Sequence, residues 1–273
     1  MKTKLSRREF IVAGAGLTII KGAGRSSRKN PSPPAKRASV LIGYGLVNLW
    51  HTIDCHELAD LLYSAGCTMT EIEYVAWFNE AARKGRSIET HVELAKTFVD
   101  AMRRRNITTM ISLVNWNAEA VRQQDDAWFQ ERLNEIIHSI GTKKVMLMGV
   151  SEPNADENGK AYRWMEYTVK EWKGLKIANG DNGRGDPTVK GFDLVDWHWC
   201  GDFDAKSVRL LTAGKPTINN TDCWPVLNPG PDRTRTMAQA ALQRKANFNV
   251  YGFNDTKIDE DVIHVLGECI RDA

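Results

Sequence analysis

The sequence predicts one α/β domain, a (β/α)8 TIM barrel over residues 38–273, and three observations predict it. Eight short apolar, β-rich runs alternate with stretches of helical periodicity. The ends of those runs carry Asn, Asp, Glu, His and Trp, as the catalytic face of such a barrel does. No dinucleotide loop follows the first run, because Gly43-Tyr44-Gly45 lacks a third glycine and a suitably spaced acid; this weighs against the rival fold, a doubly wound open sheet.

The elements follow in order. Ser39–Tyr44 reads as the first strand and His56–Ala65 as an amphipathic helix ending at Gly66. Thr68–Tyr74 is the second strand. Thr90–Arg105 is a helix, with Val92, Leu94, Ala95, Phe98, Val99 and Met102 at helical spacing. Ile107–Val114 is the third strand and Ala127–Ser139 the next helix. The Val145–Val150 strand is followed by a helix over Ala161–Trp172. Leu175–Ala178 is a short strand opening into a Gly/Asp/Asn-rich loop, 179–186. Leu194–Trp199, Pro216–Asn220 and Phe248–Phe253 complete the strands, with helices at Ala205–Leu211, Thr234–Ala246 and Asp259–Arg271.

The length of 273 residues suits one large domain, since α/β barrels commonly run to about 250 residues. The net charge of +3 is unevenly spread: residues 1–37 hold ten Lys/Arg against Glu9 alone, leaving 27 Lys/Arg and 33 Asp/Glu in the body. A mildly acidic body argues against a nucleic-acid surface. Ser6-Arg7-Arg8-Glu9-Phe10, the eleven uncharged residues Phe10 to Ile20 and then Lys21 resemble a bacterial twin-arginine export signal. Eleven residues cannot span a bilayer, which needs about 20. Residues 1–24 are therefore expected to be the signal, with Gly22-Ala23-Gly24 as a candidate cleavage site, and 25–37 a flexible linker. The expected partner of this segment is the twin-arginine export machinery, with a periplasmic or secreted location and no stable membrane insertion. Cys55, Cys67, Cys200, Cys223 and Cys269 show no metal spacing and read as core residues, with room for one bridge.

The chain is organised around Val145-Met146-Leu147-Met148-Gly149-Val150-Ser151-Glu152-Pro153-Asn154. An apolar strand buried on both faces ends on a carboxylate, which places Glu152 at a strand mouth. A carboxyl group between a low-dielectric wall and a solvent cleft is suited to giving and taking a proton. The alternative is a Glu beside the next helix, with Pro153 in its first turn.

The other strand ends supply Trp50, Trp77, Asn115, Trp116, Asn117, Asp196, Trp197, His198, Trp199, Asn220, Asp222, Trp224, Tyr251, Asn254 and Asp255. Six of the nine tryptophans sit there, while Trp128, Trp164 and Trp172 lie on helices. Flat apolar faces beside amides and carboxylates are what sugar rings require. Trp50, Trp77, Asn115, Trp116, His198, Trp199, Asn220, Trp224, Tyr251 and Asn254 are thus the expected contacts to a carbohydrate substrate. His198 is placed to orient Glu152, to touch substrate, or to stand as a satisfied wall residue.

Val150-Ser151-Glu152-Pro153 resembles the Asn-Glu-Pro motif on strand four of the clan A retaining (β/α)8 glycoside hydrolases, the cellulase- and mannanase-like enzymes. Asp196-Trp197-His198-Trp199 resembles that clan's strand-six Asp-x-His-x-Tyr, and Lys215-Pro216 through Asp222 its strand-seven segment. The resemblance implies that Glu152 is the general acid/base and Asp222 the nucleophile of an O-glycosidase. Three positions depart from the pattern: Ser151 replaces Asn, Asp222 replaces Glu, and Glu71 stands where the clan often has Arg.

Alternation along the strands puts Met146, Met148, Val150 and Glu152 on one face, and Ile218, Asn220 and Asp222 on one face. Glu71 and Glu73 share a parity facing inward, which makes Glu73 the reserve second carboxylate. A glycan-binding barrel without activity is the alternative favoured by the three departures. A metal-dependent (β/α)8 hydrolase using Asp196, Asp222 and Asp255 is the second, although such sites usually carry more His. No cofactor and no metal are expected.

Overall fold

The computed structural model describes residue 34 and residues 36–46, 50–75, 88–116, 118–153, 159–180, 191–198, 217–221, 230–252 and 258–273. Eight parallel strands close into a barrel in sequence order: β1 (Ile42–Leu46), β2 (Met69–Val75), β3 (Thr108–Asn115), β4 (Val145–Ser151), β5 (Leu175–Gly180), β6 (Leu194–His198), β7 (Thr217–Thr221) and β8 (Asn247–Gly252). The ring shuts where β1 pairs with β8, Gly45 opposite Tyr251. Among the described residues the helices are α1 (Cys55–Ser64), α2 (Ile88–Arg104), α3 (Glu119–Arg122), α4 (Asp126–Ser139), α5 (Lys160–Glu171), α6 (Gly230–Gln243) and α7 (Glu260–Asp272). The expected (β/α)8 architecture is the observed one. Asp54, Asp125 and Asp259 cap α1, α4 and α7 by accepting from first-turn amides.

Two apolar layers build the body. Met69, Met110, Met146, Met148, Ile177, Leu194 and Ile218 form a cluster supplied by strands alone, which is the packing inside the barrel. The larger cluster joins the strands' other faces, including Ile42, Tyr44, Ile72, Ile111, Leu147, Phe248 and Val250, to the helices. Alternation then assigns the polar strand residues: Glu71 and Glu73 share the face of Met69, Asn179 that of Ile177, and Asp196 that of Leu194. Asn249, flanked by outward Phe248 and Val250, also faces in.

The first strand lies later than the expected Ser39–Tyr44, starting at Ile42 and running on through Gly45 and Leu46. A Cβ at Gly43 would stand 1.8 Å from the Met69 carbonyl oxygen, so this glycine is what lets β2 sit so close. The fifth strand runs on through Asn179 and Gly180, where a loop was expected. Arg37, last residue of the expected linker, donates to the carbonyls of Arg105, Cys67 and Asn106 and so is held against the barrel. The expected Ala205–Leu211 helix and the N-terminal signal lie outside the described residues. Cys55, Cys67 and Cys269 are free thiols; Cys200 and Cys223 lie outside the described residues. Among the described residues no helix is long and apolar enough to cross a membrane.

Candidate functional site

Strand β4 is buried along its whole length, and Glu152 follows directly on its last residue, half-buried at the C-terminal mouth. Its φ is 54°, in the left-handed region, which costs a residue bearing a Cβ roughly 1–2 kcal/mol. Strict strand alternation therefore stops at Ser151. What ties Glu152 to the interior is its backbone N–H, which donates to Asn179 Oδ1 at 3.1 Å. Gly149 explains how the strand end is supported: a Cβ there would lie 2.1 Å from Thr168 Oγ1, so α5 rests directly on β4.

Asn179 uses its other end as well, donating through Nδ2 to Asp196 Oδ2 at 3.0 Å. Asp196 is fully buried, and a carboxylate in that position needs donors in place of water. The opposite wall repeats the arrangement. Asn115 Nδ2 donates to Glu73 Oε1 at 3.1 Å, and Asn249 Nδ2 donates to Glu71 Oε2 at 2.9 Å. Glu73 is only 4% exposed and Glu71 is sealed off entirely. Three carboxyl groups on β2 and β6 are thus held by amides from β3, β5 and β8, and the amide on β5 also takes the backbone N–H of Glu152 after β4. Of these residues Glu152 and Asn115 are half-buried, which leaves a carboxyl group and an amide exposed enough to meet hydroxyl groups at the mouth.

The expected substrate contacts divide. Asn115 ends β3, half-buried, where it holds Glu73. Trp50 is a correction: it is 2% exposed, donates its indole N–H to the Glu73 carbonyl at 2.7 Å, and packs among Tyr74, His91 and Phe98. Its rings are used up between β2 and α2, leaving no face for a sugar. Trp116 is likewise buried, edge-on to Trp164 at 5.5 Å with the Lys160 ammonium over its ring at 5.7 Å. Its indole N–H has no hydrogen-bond partner among the described residues. Both tryptophans are wall, which follows from their size: a large indole beside a strand end gains most by packing under a helix.

His198, Asn220 and Tyr251 lie in β6, β7 and β8, with His198 opposite Asn220 in register. Asp222 is the residue after the last of β7, and it lies outside the described residues, as do Trp77, Trp199, Trp224, Asn254 and Asp255. Among the described residues no group of three His, Cys, Asp or Glu is spaced to hold a metal ion. Asn179 and Asn249 were not anticipated from the sequence. The signal that could have found them is an amide at an inward position of a strand whose flanking residues are apolar.

No protein-family model matches the sequence, and no curated protein matches it either. Solved structures do match in fold. The endo-β-1,4-mannanase from Thermotoga petrophila superposes with a TM-score of 0.60 at 10% identity, over 87% of this chain and 77% of that one. A GH5-4 broad-specificity endoglucanase from an uncultured bacterium gives 0.59 at 14% identity, over 84% and 93%. A GH30 endoxylanase from Clostridium papyrosolvens C71 gives 0.57 at 11% identity, over 87% and 73%.

Proposed function

We propose that this chain is a glycoside hydrolase that cleaves O-glycosidic bonds of a poly- or oligosaccharide. The observation that carries the reading is the carboxyl group of Glu152, half-buried at the C-terminal end of β4 in a closed eight-stranded barrel. The matching solved structures include an endomannanase, an endoglucanase and an endoxylanase, which fits that reading. Glu152 protonates the departing oxygen, and as a carboxylate then activates the water that releases the sugar. Asp222 is the proposed nucleophile, its attack on the anomeric carbon giving a double displacement with retention.

Glu73 remains the second choice for nucleophile, because it lies in the barrel interior on β2 beside Asn115. Retention requires the two carboxyl groups about 5–5.5 Å apart. The proposal is tested by following new reducing ends over a panel of β-1,4-glucan, mannan and xylan, beside a binding measurement on the same panel. Release of ends supports hydrolysis; binding without release would instead favour a barrel that only holds glycan. Asp222→Ala and Glu73→Gln, each compared with the parent, identify the second acid by which one abolishes turnover.

The N-terminal residues 1–24 fit a twin-arginine signal and 25–37 a linker, with the barrel domain following from 38 and an exported location. Replacing Arg7 and Arg8 by Lys should hold the protein inside the cell, and unchanged export in a cell-fractionation assay would refute this.

A further inference from the structure

Asn179 is tied at both ends. Its Oδ1 accepts the backbone N–H of Glu152 at 3.1 Å, and its Nδ2 donates to Asp196 at 3.0 Å. The first bond reaches a residue whose left-handed backbone persists only where surroundings over-determine it. The second fixes which end of the amide faces Glu152, since a carboxylate can only accept from the NH2 group. Asn179 is itself buried in the middle of the β4–β5–β6 wall, so the amide has little freedom to turn.

We infer that Asn179 is a positioning residue for the reaction, holding the backbone of Glu152 so that its carboxyl group meets the leaving oxygen in line. This rests on the reading of Glu152 as the acid/base. The chemistry predicts where the effect will appear. Protonating the leaving group matters when that group is a poor one, such as a sugar hydroxyl, and little when it is a stable phenolate. Displacing the proton donor by an ångström can cost on the order of a hundredfold in rate. A loss of general packing would slow both kinds of substrate alike.

The test uses the full chain, the panel polysaccharide that it cleaves best, and the 2,4-dinitrophenyl glycoside of the same sugar. Asn179→Ala is expected to lower kcat on the polysaccharide about ten- to a hundredfold with KM little changed, and to lower kcat on the aryl glycoside by less than about threefold. Asn179→Leu is close in shape and removes both hydrogen bonds; it carries the test if the alanine variant does not fold, and the same direction of split is expected. Equal losses on the two substrates, or no loss in either variant, would overturn the inference. Glu152→Gln on the same pair separates the two levels. Full activity of that variant on the polysaccharide sinks the function proposed above, whereas its inactivity together with parallel losses at Asn179 sinks only the positioning role.

Discussion

Glu152 adopts a backbone conformation that residues with a side chain avoid, and the groups around it supply the compensation: one amide from β5 takes its N–H, while a fully packed strand fixes its start. Trp50 illustrates the opposite outcome for a residue at a strand end, since its indole is spent on the core. Trp50→Ala should therefore destabilise the fold by about 3–5 kcal/mol and leave glycan affinity unchanged. Urea unfolding beside a binding isotherm checks this, and an intact fold with weakened binding would return Trp50 to the substrate face. Burial also pushes the Cys67 thiol up to about 12 from 9.0, with the Arg37 charge opposing, and the Tyr44 phenol up to about 12 from 10.0, where its hydroxyl accepts the Asp259 N–H. Both groups are held neutral in the folded chain, so their contribution is complete below about pH 9 and is lost as the pH climbs toward 12. The urea midpoint should fall over that range. Cys67→Ala should flatten the part of the fall that begins near pH 9, and a variant with the same alkaline slope as the parent would contradict the assignment.

At the scale of elements, β4 and the helix beside it set the site. Gly149→Ala places a methyl group against Thr168, so the helix Lys160–Glu171 must move or the strand must bend. The expected cost is about 1–3 kcal/mol, and Thr168→Ala in the same chain should recover part of it. Thermal melts of the two single variants and the double variant measure the coupling, and purely additive losses would show that the glycine has another role. The strands were legible because buried parallel strands read as continuous apolar runs, as in Val145–Val150. Their ends were less so. Asn179 resembles a loop residue in isolation, and only a partner such as Asp196 makes it a strand residue.

Across the whole molecule, closure of the ring is what brings Glu71 and Asn249 within hydrogen-bond reach. The architecture could be read from the alternation of strand and helix, and parity sent Glu71 and Glu73 to the interior as observed. The polar belt was only half legible, because the amides that partner the carboxyl groups come from other strands and no local pattern announces them. Trp50 and Trp116 were over-read for a physical reason: the sequence shows that an indole is at a strand end, but not which side of the wall it packs against. The proposed reaction turns on one proton, carried by Glu152. Its most direct test is the rate at which Glu152→Gln cleaves a polysaccharide with an unactivated leaving group, measured with the correctly folded variant. A fall of about 10²–10⁴-fold with binding retained is the predicted result; turnover equal to that of the parent chain would contradict it.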